Sequence, residues 1–205
     1  MTLIVAQKNV NLPKLIALTC CAILALSGNR LSAKAAETQP GNSRRTFADW
    51  CRQKDSLSPE AKHTVEALLE YAETTECDAA NQKLSSLMFL SLENNSISDL
   101  KPLESLTNLN VLWLGSNQIS DIKPLKSLTN LNVLFLDNNQ ISDIKLLESL
   151  TNLTVLWLNN NQISDTKPLK SLTNLIELNL SGNPITPKTC PLKRESICHW
   201  EPPKL

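Results

Sequence analysis

The cysteine and histidine side chains of this 205-residue chain could hold a zinc ion, and the cysteines could form disulfides. After residue 35 these residues are Cys51, Cys77, Cys190, Cys198, His63 and His199. A zinc site needs closely spaced ligands, such as two cysteines separated by roughly two to four residues. No cysteine pair after residue 35 has that spacing, and the two histidines are single and far apart. The sequence therefore predicts no metal site.

Sequence patterns typical of enzymes are missing as well. The chain has no G-x-S-x-G turn, no H-E-x-x-H pair and no phosphate-binding glycine loop. Its recurring aspartates lie at predicted turns, where they are not placed for acid–base chemistry. We therefore expect no catalytic residues and no cofactor. The 20 basic and 20 acidic side chains balance, so the chain has no general attraction to nucleic acid.

The first 35 residues have the order of a secretory signal peptide. They contain four basic residues and no acid, and an uncharged 12-residue run over 15–26 is followed by a polar stretch and then by Ala33-Lys34-Ala35. The run is too short to span a bilayer. A buried or amphipathic N-terminal helix is the alternative, but the run lacks polar interruptions at helical spacing. We expect cleavage after Ala35 or Ala36, a secreted or periplasmic protein, and no membrane insertion of the mature chain.

A 22-residue repeat organises the centre of the chain. Four copies begin at residues 84, 106, 128 and 150, and a fifth begins at 172 and loses the pattern after Ile185. The second and third copies agree at 17 of 22 positions without an insertion. Each copy contains L-x-x-L-x-L-x-x-N-x-I, and its L-x-L part predicts a short strand with leucines on one face. One such strand cannot bury its leucines alone, so adjacent copies must stack.

These motifs resemble the leucine-rich repeat family, in particular the 22-residue class of bacterial internalins and the related phosphatase regulators. The resemblance covers residues 84–185. It implies an α/β solenoid, a curved right-handed coil with a parallel β-sheet on its concave face. It also implies that one asparagine of each copy points inward and satisfies backbone groups at the turn. These asparagines are Asn95, Asn117, Asn139, Asn161 and Asn183.

The open ends of such a coil need covers, and the flanking sequences can supply them. Residues 36–45 read as a linker, and 46–83 as a helical N-terminal cap. Within that cap, Ser58-Pro59-Glu60 predicts the start of a helix, preceded by a shorter helix with Phe47 and Trp50. Residues 186–205 read as a short C-terminal cap.

Disulfides are expected in the caps, because an exported chain with an even number of cysteines meets an oxidising compartment. One pair of cysteines lies on each side of the repeats. Among the three possible pairings this placement favours Cys51–Cys77, which would fasten the two cap helices, and Cys190–Cys198.

Residues between the leucines face the concave side, where the second column of side chains includes three large aromatic residues on successive strands. An exposed aromatic stripe is typical of a protein-binding hot spot, although stacking that only stabilises the sheet would give the same pattern. The predicted partner-binding residues are Phe89, Val111, Trp113, Val133, Phe135, Asp137, Val155, Trp157, Asn159 and Glu177.

Two functions fit this stripe. The first is a module that docks an unidentified extracellular or surface protein, and the second is a glycan-binding module, because aromatic rings beside amides also suit sugars. The sequence favours the first. We expect the protein to act as a monomer.

Overall fold

The computed structural model describes residues 45–201. The predicted signal peptide and all but the last residue of the predicted linker lie outside this range. The helices are α1 (Phe47–Arg52), α2 (Pro59–Ala72) and α3 (Cys77–Ser85). The strands are β1 (Phe89–Ser91), β2 (Val111–Trp113), β3 (Val133–Phe135), β4 (Val155–Trp157), β5 (Glu177–Asn179) and β6 (Cys198–His199). Short 3₁₀ helices cover Lys54–Ser56, Lys101–Leu103, Lys123–Ser127, Lys145–Ser149, Lys167–Ser171 and Glu195–Ile197.

The strands form one parallel sheet in chain order, β1 to β6. Each strand of the repeats pairs with the next at an offset of one copy, so Leu112 lies beside Leu134 and Leu134 beside Leu156. The leucines of the L-x-L pattern are buried, and together with the leucines and isoleucines of the return segments they make one continuous core. The leucine-rich repeat solenoid expected from the sequence is confirmed.

The return segments run as 3₁₀ helices on the convex side because an aspartate starts each of them. The Asp121 carboxylate accepts a hydrogen bond of 2.9 Å from the backbone N–H of Lys123. Asp99, Asp143 and Asp165 bind the backbone two residues further on in the same way. A short acceptor side chain that binds its own backbone favours a turn over a longer helix. The predicted turn role of these aspartates is confirmed.

Helix α2 begins as the sequence predicts. Ser58 is its N-cap and accepts a hydrogen bond from the N–H of Ala61, and Pro59 occupies the first turn. Its apolar face, which includes Val65 and Leu68, is buried in the same core as the leucines of the repeats. Thr64, also on that face, donates a hydrogen bond of 2.7 Å to the carbonyl oxygen of Asp99. These contacts cover the open edge of the first coil.

The N-terminal region has a third helix that the sequence analysis did not separate from α2. Glu73, in the left-handed conformation, ends α2, and α3 then runs to Ser85. The disulfide Cys51–Cys77 therefore joins α1 to α3, where we had expected it to join α1 to α2. Leu84, the first leucine of the first copy, is buried within α3.

The C-terminal segment adds a sixth strand to the sheet. Cys198 and His199 pair with Leu178 and Asn179 of β5. The disulfide Cys190–Cys198 closes the loop before this strand, and Trp200 packs against the core just after it. The far edge of the last coil is thereby covered by backbone pairing as well as by side chains.

Candidate protein-binding face

The side chains between the buried leucines form columns across the concave face. The register places Trp113 beside Phe135 and Phe135 beside Trp157 on adjacent strands. All three are half-buried, as are the valines beside them, whereas Phe89 on β1 is 42% exposed. The structure therefore brings the four predicted aromatic residues together on the solvent side of the sheet. We call Phe89, Trp113, Phe135 and Trp157 the aromatic strip.

The rings of the aromatic strip contact one another in sequence. Phe89 meets Trp113 edge to face, with ring centroids 5.1 Å apart and an interplanar angle of 87°. Trp113 and Phe135 stack at 5.5 Å, and Phe135 and Trp157 at 4.3 Å, both with an interplanar angle of 15°. Phe135 is thus stacked between two indoles. Because the ring faces of Phe135 are occupied by its neighbours, this part of the strip presents ring edges to the solvent.

Polar groups fix the position of the strip at one end. The indole Nε1 of Trp157 donates a hydrogen bond of 2.7 Å to a carboxylate oxygen of Glu177 on the next strand. The indole Nε1 of Trp113 and the side-chain oxygen of Asn159 are buried without a hydrogen-bond partner among the described residues. Buried polar atoms of this kind are uncommon and costly in folded proteins. The strip thus leaves hydrogen-bonding capacity unused beside its apolar surface.

Asp137 lies beside the strip, where its carboxylate closely approaches Gly115 of the neighbouring coil. Asn138 donates a hydrogen bond of 2.7 Å to the Asp137 carboxylate. A Cβ atom at Gly115 would lie only 2.8 Å from a carboxylate oxygen of Asp137. Any larger residue at 115 would therefore push this carboxylate aside. Glycine at this position lets the Asp137 carboxylate lie against the backbone just after β2.

Beyond β4, polar residues occupy the column that contains Trp113, Phe135 and Trp157. Asn179 is only 6% exposed, and its side-chain oxygen accepts hydrogen bonds from the backbone N–H and hydroxyl of Ser181. Beyond it comes His199 of β6, which is exposed. The position of His199 on this face does not follow from the sequence, because no L-x-L pattern marks β6. Its pairing with Asn179 reveals the position.

The asparagines predicted to point inward lie a few residues after the strands and form a ladder with one member in each coil. The amide of Asn139 donates to the carbonyl oxygens of Leu114, Leu136 and Asp137 at 3.0–3.1 Å. Its side-chain oxygen accepts a hydrogen bond of 2.9 Å from the N–H of Ile119. Asn117, Asn161 and Asn183 repeat this pattern. Asn95, which has no coil before it, is half-buried, and its side-chain amide donates only to the carbonyl oxygen of Glu93.

Other kinds of site find no support in residues 45–201. Within that range no group of three or more histidine, cysteine, aspartate or glutamate side chains could hold a metal ion. None of the helices described is long and apolar enough to span a membrane. A cavity of about 620 Å³ opens on the convex side, lined by residues that include Lys123, Asp143 and the half-buried Leu146. Its charges are mixed, and it lies away from the strip.

Comparison with known families agrees with this geometry. Residues 85–127, 129–171 and 151–190 match the family model described as Leucine Rich repeats (2 copies). Together these matches span about half of the chain. The chain belongs to the leucine-rich repeat family. Proteins of this family generally mediate protein–protein interactions.

Solved structures place this leucine-rich repeat protein near the internalins. It is 44% identical to internalin C2 from Listeria monocytogenes over 58% of this chain and 52% of that one, with a TM-score of 0.53. It is 26% identical to internalin inlF from the same organism over 64% of this chain and 46% of that one, with a TM-score of 0.52. The match therefore spans only about half the length of either internalin. No curated protein sequence matches the chain.

Proposed function

We propose that this leucine-rich repeat protein binds a partner protein on its concave face and performs no catalysis. The observation that carries the proposal is the aromatic strip, four rings in mutual contact on the solvent side of a sheet whose other side is filled with leucine. Large aromatic side chains dominate the binding energy of protein interfaces. The proposed contact residues are Phe89, Val111, Trp113, Val133, Phe135, Asp137, Val155, Trp157, Asn159 and Glu177.

Stacking between the rings does not by itself explain why four aromatic residues lie on this face. An aromatic pair contributes roughly 0.5–1.5 kcal/mol beyond its buried area, and the leucine core already holds adjacent coils together. Phe89 stays 42% exposed at the end of the strip, so it gains little from stacking. A partner that covers the strip would bury the remaining apolar surface of all four rings, which favours association.

The orientation of the rings favours a protein over a glycan. Sugars bind aromatic residues by lying flat on a ring face. In this strip Phe135 has an indole stacked on each face, and Trp157 has one face against Phe135. The aliphatic and aromatic side chains of a partner protein can pack against a row of ring edges, because they can approach an edge from many directions. The exposed amides of Asn138 and Asn160, joined by a hydrogen bond of 2.8 Å, are the feature that suits a glycan.

The proposed setting is outside the cytoplasm. Both disulfides connect residues of the terminal regions, and such bonds persist in oxidising compartments. Together with the predicted signal peptide they support a secreted or periplasmic protein whose partner is an extracellular or surface protein. We propose a monomer as the binding unit.

Crosslinking of the exported protein in its own cells, followed by mass spectrometry, would identify the partner. Binding of that purified partner is then measured for the wild type, for the double variant Trp113→Ala with Trp157→Ala, and for Leu146→Ala as a control on the convex side. We expect the double variant to remain folded and lose at least about a hundredfold in affinity, because hot-spot truncations cost roughly 2 kcal/mol or more each. Unchanged affinity in the double variant would refute the concave site.

A sugar titration separates the two functions. Tryptophan fluorescence of the wild type is followed while a panel of oligosaccharides is added, with the double variant as the blank. We expect no saturable change, because stacking already occupies both faces of Phe135 and one face of Trp157. A saturable change that disappears in the double variant would replace the protein-binding proposal with glycan binding.

A further inference from the structure

Charged residues are sorted between the two faces of the repeats. Residues 84–185 contain no arginine, and all of their lysines lie in the 3₁₀ segments of the convex side. These lysines are Lys101, Lys123, Lys126, Lys145, Lys167 and Lys170. On the concave columns of β1–β5 the charged residues are Glu93, Asp137 and Glu177. The concave face of the repeats is therefore acidic.

The three carboxylates flank the aromatic strip on both sides. Glu93 and Asp137 follow β1 and β3, whereas Glu177 is the first residue of β5. Two of them thus lie past the carboxyl ends of the strands and one lies at the amino end. Successive members are two strands apart, a distance of about 9.6 Å along the sheet at the usual strand spacing. The apolar strip consequently runs between negative charges.

Two of these carboxylates are held in place without being neutralised. Glu177 accepts the hydrogen bond from the Trp157 indole, and Asp137 accepts one from the Asn138 amide. Both donors are uncharged. None of the ion pairs formed within residues 45–201 includes Glu93, Asp137 or Glu177.

Four aspartates of the convex side have a different role. Asp99, Asp121, Asp143 and Asp165 bind backbone N–H groups at the start of the 3₁₀ segments. Each is followed two residues later by a lysine of the same segment. Their charges are thereby used in the turn and balanced nearby. The concave carboxylates have neither function, so their charge is available to a partner.

We infer that the partner segment that docks on this face carries lysine or arginine side chains on both sides of an apolar centre. The inference rests on the proposed function, because it assumes that the aromatic strip is the docking site. The apolar centre would cover the ring edges, and the basic side chains would reach Glu93 and Asp137 on one side and Glu177 on the other. Covering the strip excludes water, which strengthens these charge pairs.

Peptide selection tests this without knowledge of the natural partner. A random-peptide library displayed on phage is first depleted on the variant with Trp113→Ala and Trp157→Ala, and the remainder is selected on the purified wild-type protein. We expect the selected peptides to combine an aromatic or aliphatic centre with flanking lysine or arginine. One selected peptide is then synthesised, and its affinity is measured at about 0.05 and about 0.3 M salt, a range over which screening increases strongly.

Isosteric neutralisation shows whether the concave carboxylates are responsible. The variant Glu93→Gln, Asp137→Asn, Glu177→Gln removes three charges and keeps every acceptor oxygen that the neighbours use. We expect it to bind the peptide about tenfold more weakly than the wild type, since partly exposed charge pairs contribute modestly. The control Glu70→Gln, Glu104→Gln, Glu148→Gln removes three charges elsewhere and should bind like the wild type.

The outcomes separate the two proposals. Selected peptides that lack basic residues, or that bind the concave and control variants equally, would overturn the inference and leave the aromatic docking site intact. If selection yields no peptide that depends on the strip, the proposed function fails and this inference fails with it. Basic peptides that lose affinity only in the concave variant would support both.

Discussion

The asparagine ladder and the aromatic strip occupy the same coils, and three members of the strip, Trp113, Phe135 and Trp157, recur at the 22-residue interval of the ladder. The ladder is invariant, and each interior member is buried and binds backbone atoms of its own coil and of the coil before it. The strip changes from coil to coil, and its members bind mainly one another on the solvent side. Periodicity alone therefore does not distinguish a structural side chain from a recognition side chain. The two kinds of side chain are distinguished by whether they bind buried backbone atoms or contact one another on the solvent side.

The largest effect expected from this contrast is the loss of an interior asparagine. Replacing Asn139 with Ala leaves the N–H of Ile119 without its acceptor in a buried turn. It also removes one of the two hydrogen bonds that each of the carbonyl oxygens of Leu114, Leu136 and Asp137 accepts. We expect the free energy of unfolding to fall by about 2–4 kcal/mol. Urea denaturation followed by circular dichroism measures it. A loss below about 1 kcal/mol would mean that the ladder does not hold the coils.

The corresponding change in the strip should cost less stability. Phe135→Ala removes two stacked pairs but leaves the leucine core and all backbone pairing in place. We expect a loss of about 1–2 kcal/mol, read in the same denaturation experiment. If this variant unfolds as readily as Asn139→Ala, the strip is a structural element like the ladder, and the proposed difference between the two is wrong.

The end of the ladder separates the effect of burial from that of residue type. Asn95 donates a single side-chain hydrogen bond, to Glu93, and is half-buried because no coil precedes it. Asn95→Ala should therefore cost at most about 1 kcal/mol, the value of one ordinary hydrogen bond. Asn139→Ala is the same substitution two coils further along the ladder. Comparing the denaturation midpoints of the two variants tests whether the role of these asparagines comes from burial or from residue type. Equal losses would contradict the burial argument.

The smallest effect is expected for Glu177→Gln. The amide oxygen can still accept the hydrogen bond from the Trp157 indole, so we expect the free energy of unfolding to change by less than about 0.5 kcal/mol. Glu177→Ala, which removes the acceptor, should cost more and shift the emission of Trp157. Should the glutamine variant unfold as easily as the alanine variant, the charge of Glu177 would itself be needed for stability.

Much of the fold could be predicted because the repeat constrains every level at once. The L-x-L strands, the inward asparagines and the turn aspartates each occupy fixed positions in the copies. Helix α2 was predicted from the capping residue Ser58 and from Pro59. In these parts the local preference and the tertiary packing favour the same structure.

The parts that were missed lack such a pattern. Helix α3 has few apolar residues, and its separation from α2 depends on the left-handed conformation of Glu73. Strand β6 forms because the backbone groups on the outer edge of β5 are free to pair. Any extended segment could pair with them. The ring orientation of the strip and the bond between Trp157 and Glu177 depend on side-chain rotamers, which the sequence pattern does not specify.

The residue-for-residue register between adjacent coils also limits how the chain can grow. An insertion of one complete copy restores every backbone pair, every leucine contact and the asparagine bonds at both junctions. An insertion of a single residue within a strand places its leucines on the outer face and breaks the register there. The recognition surface can therefore lengthen or shorten only in whole steps of about 4.8 Å, the spacing of one strand. Tandem duplication of one copy is the change by which such a protein can extend its contact with a larger partner.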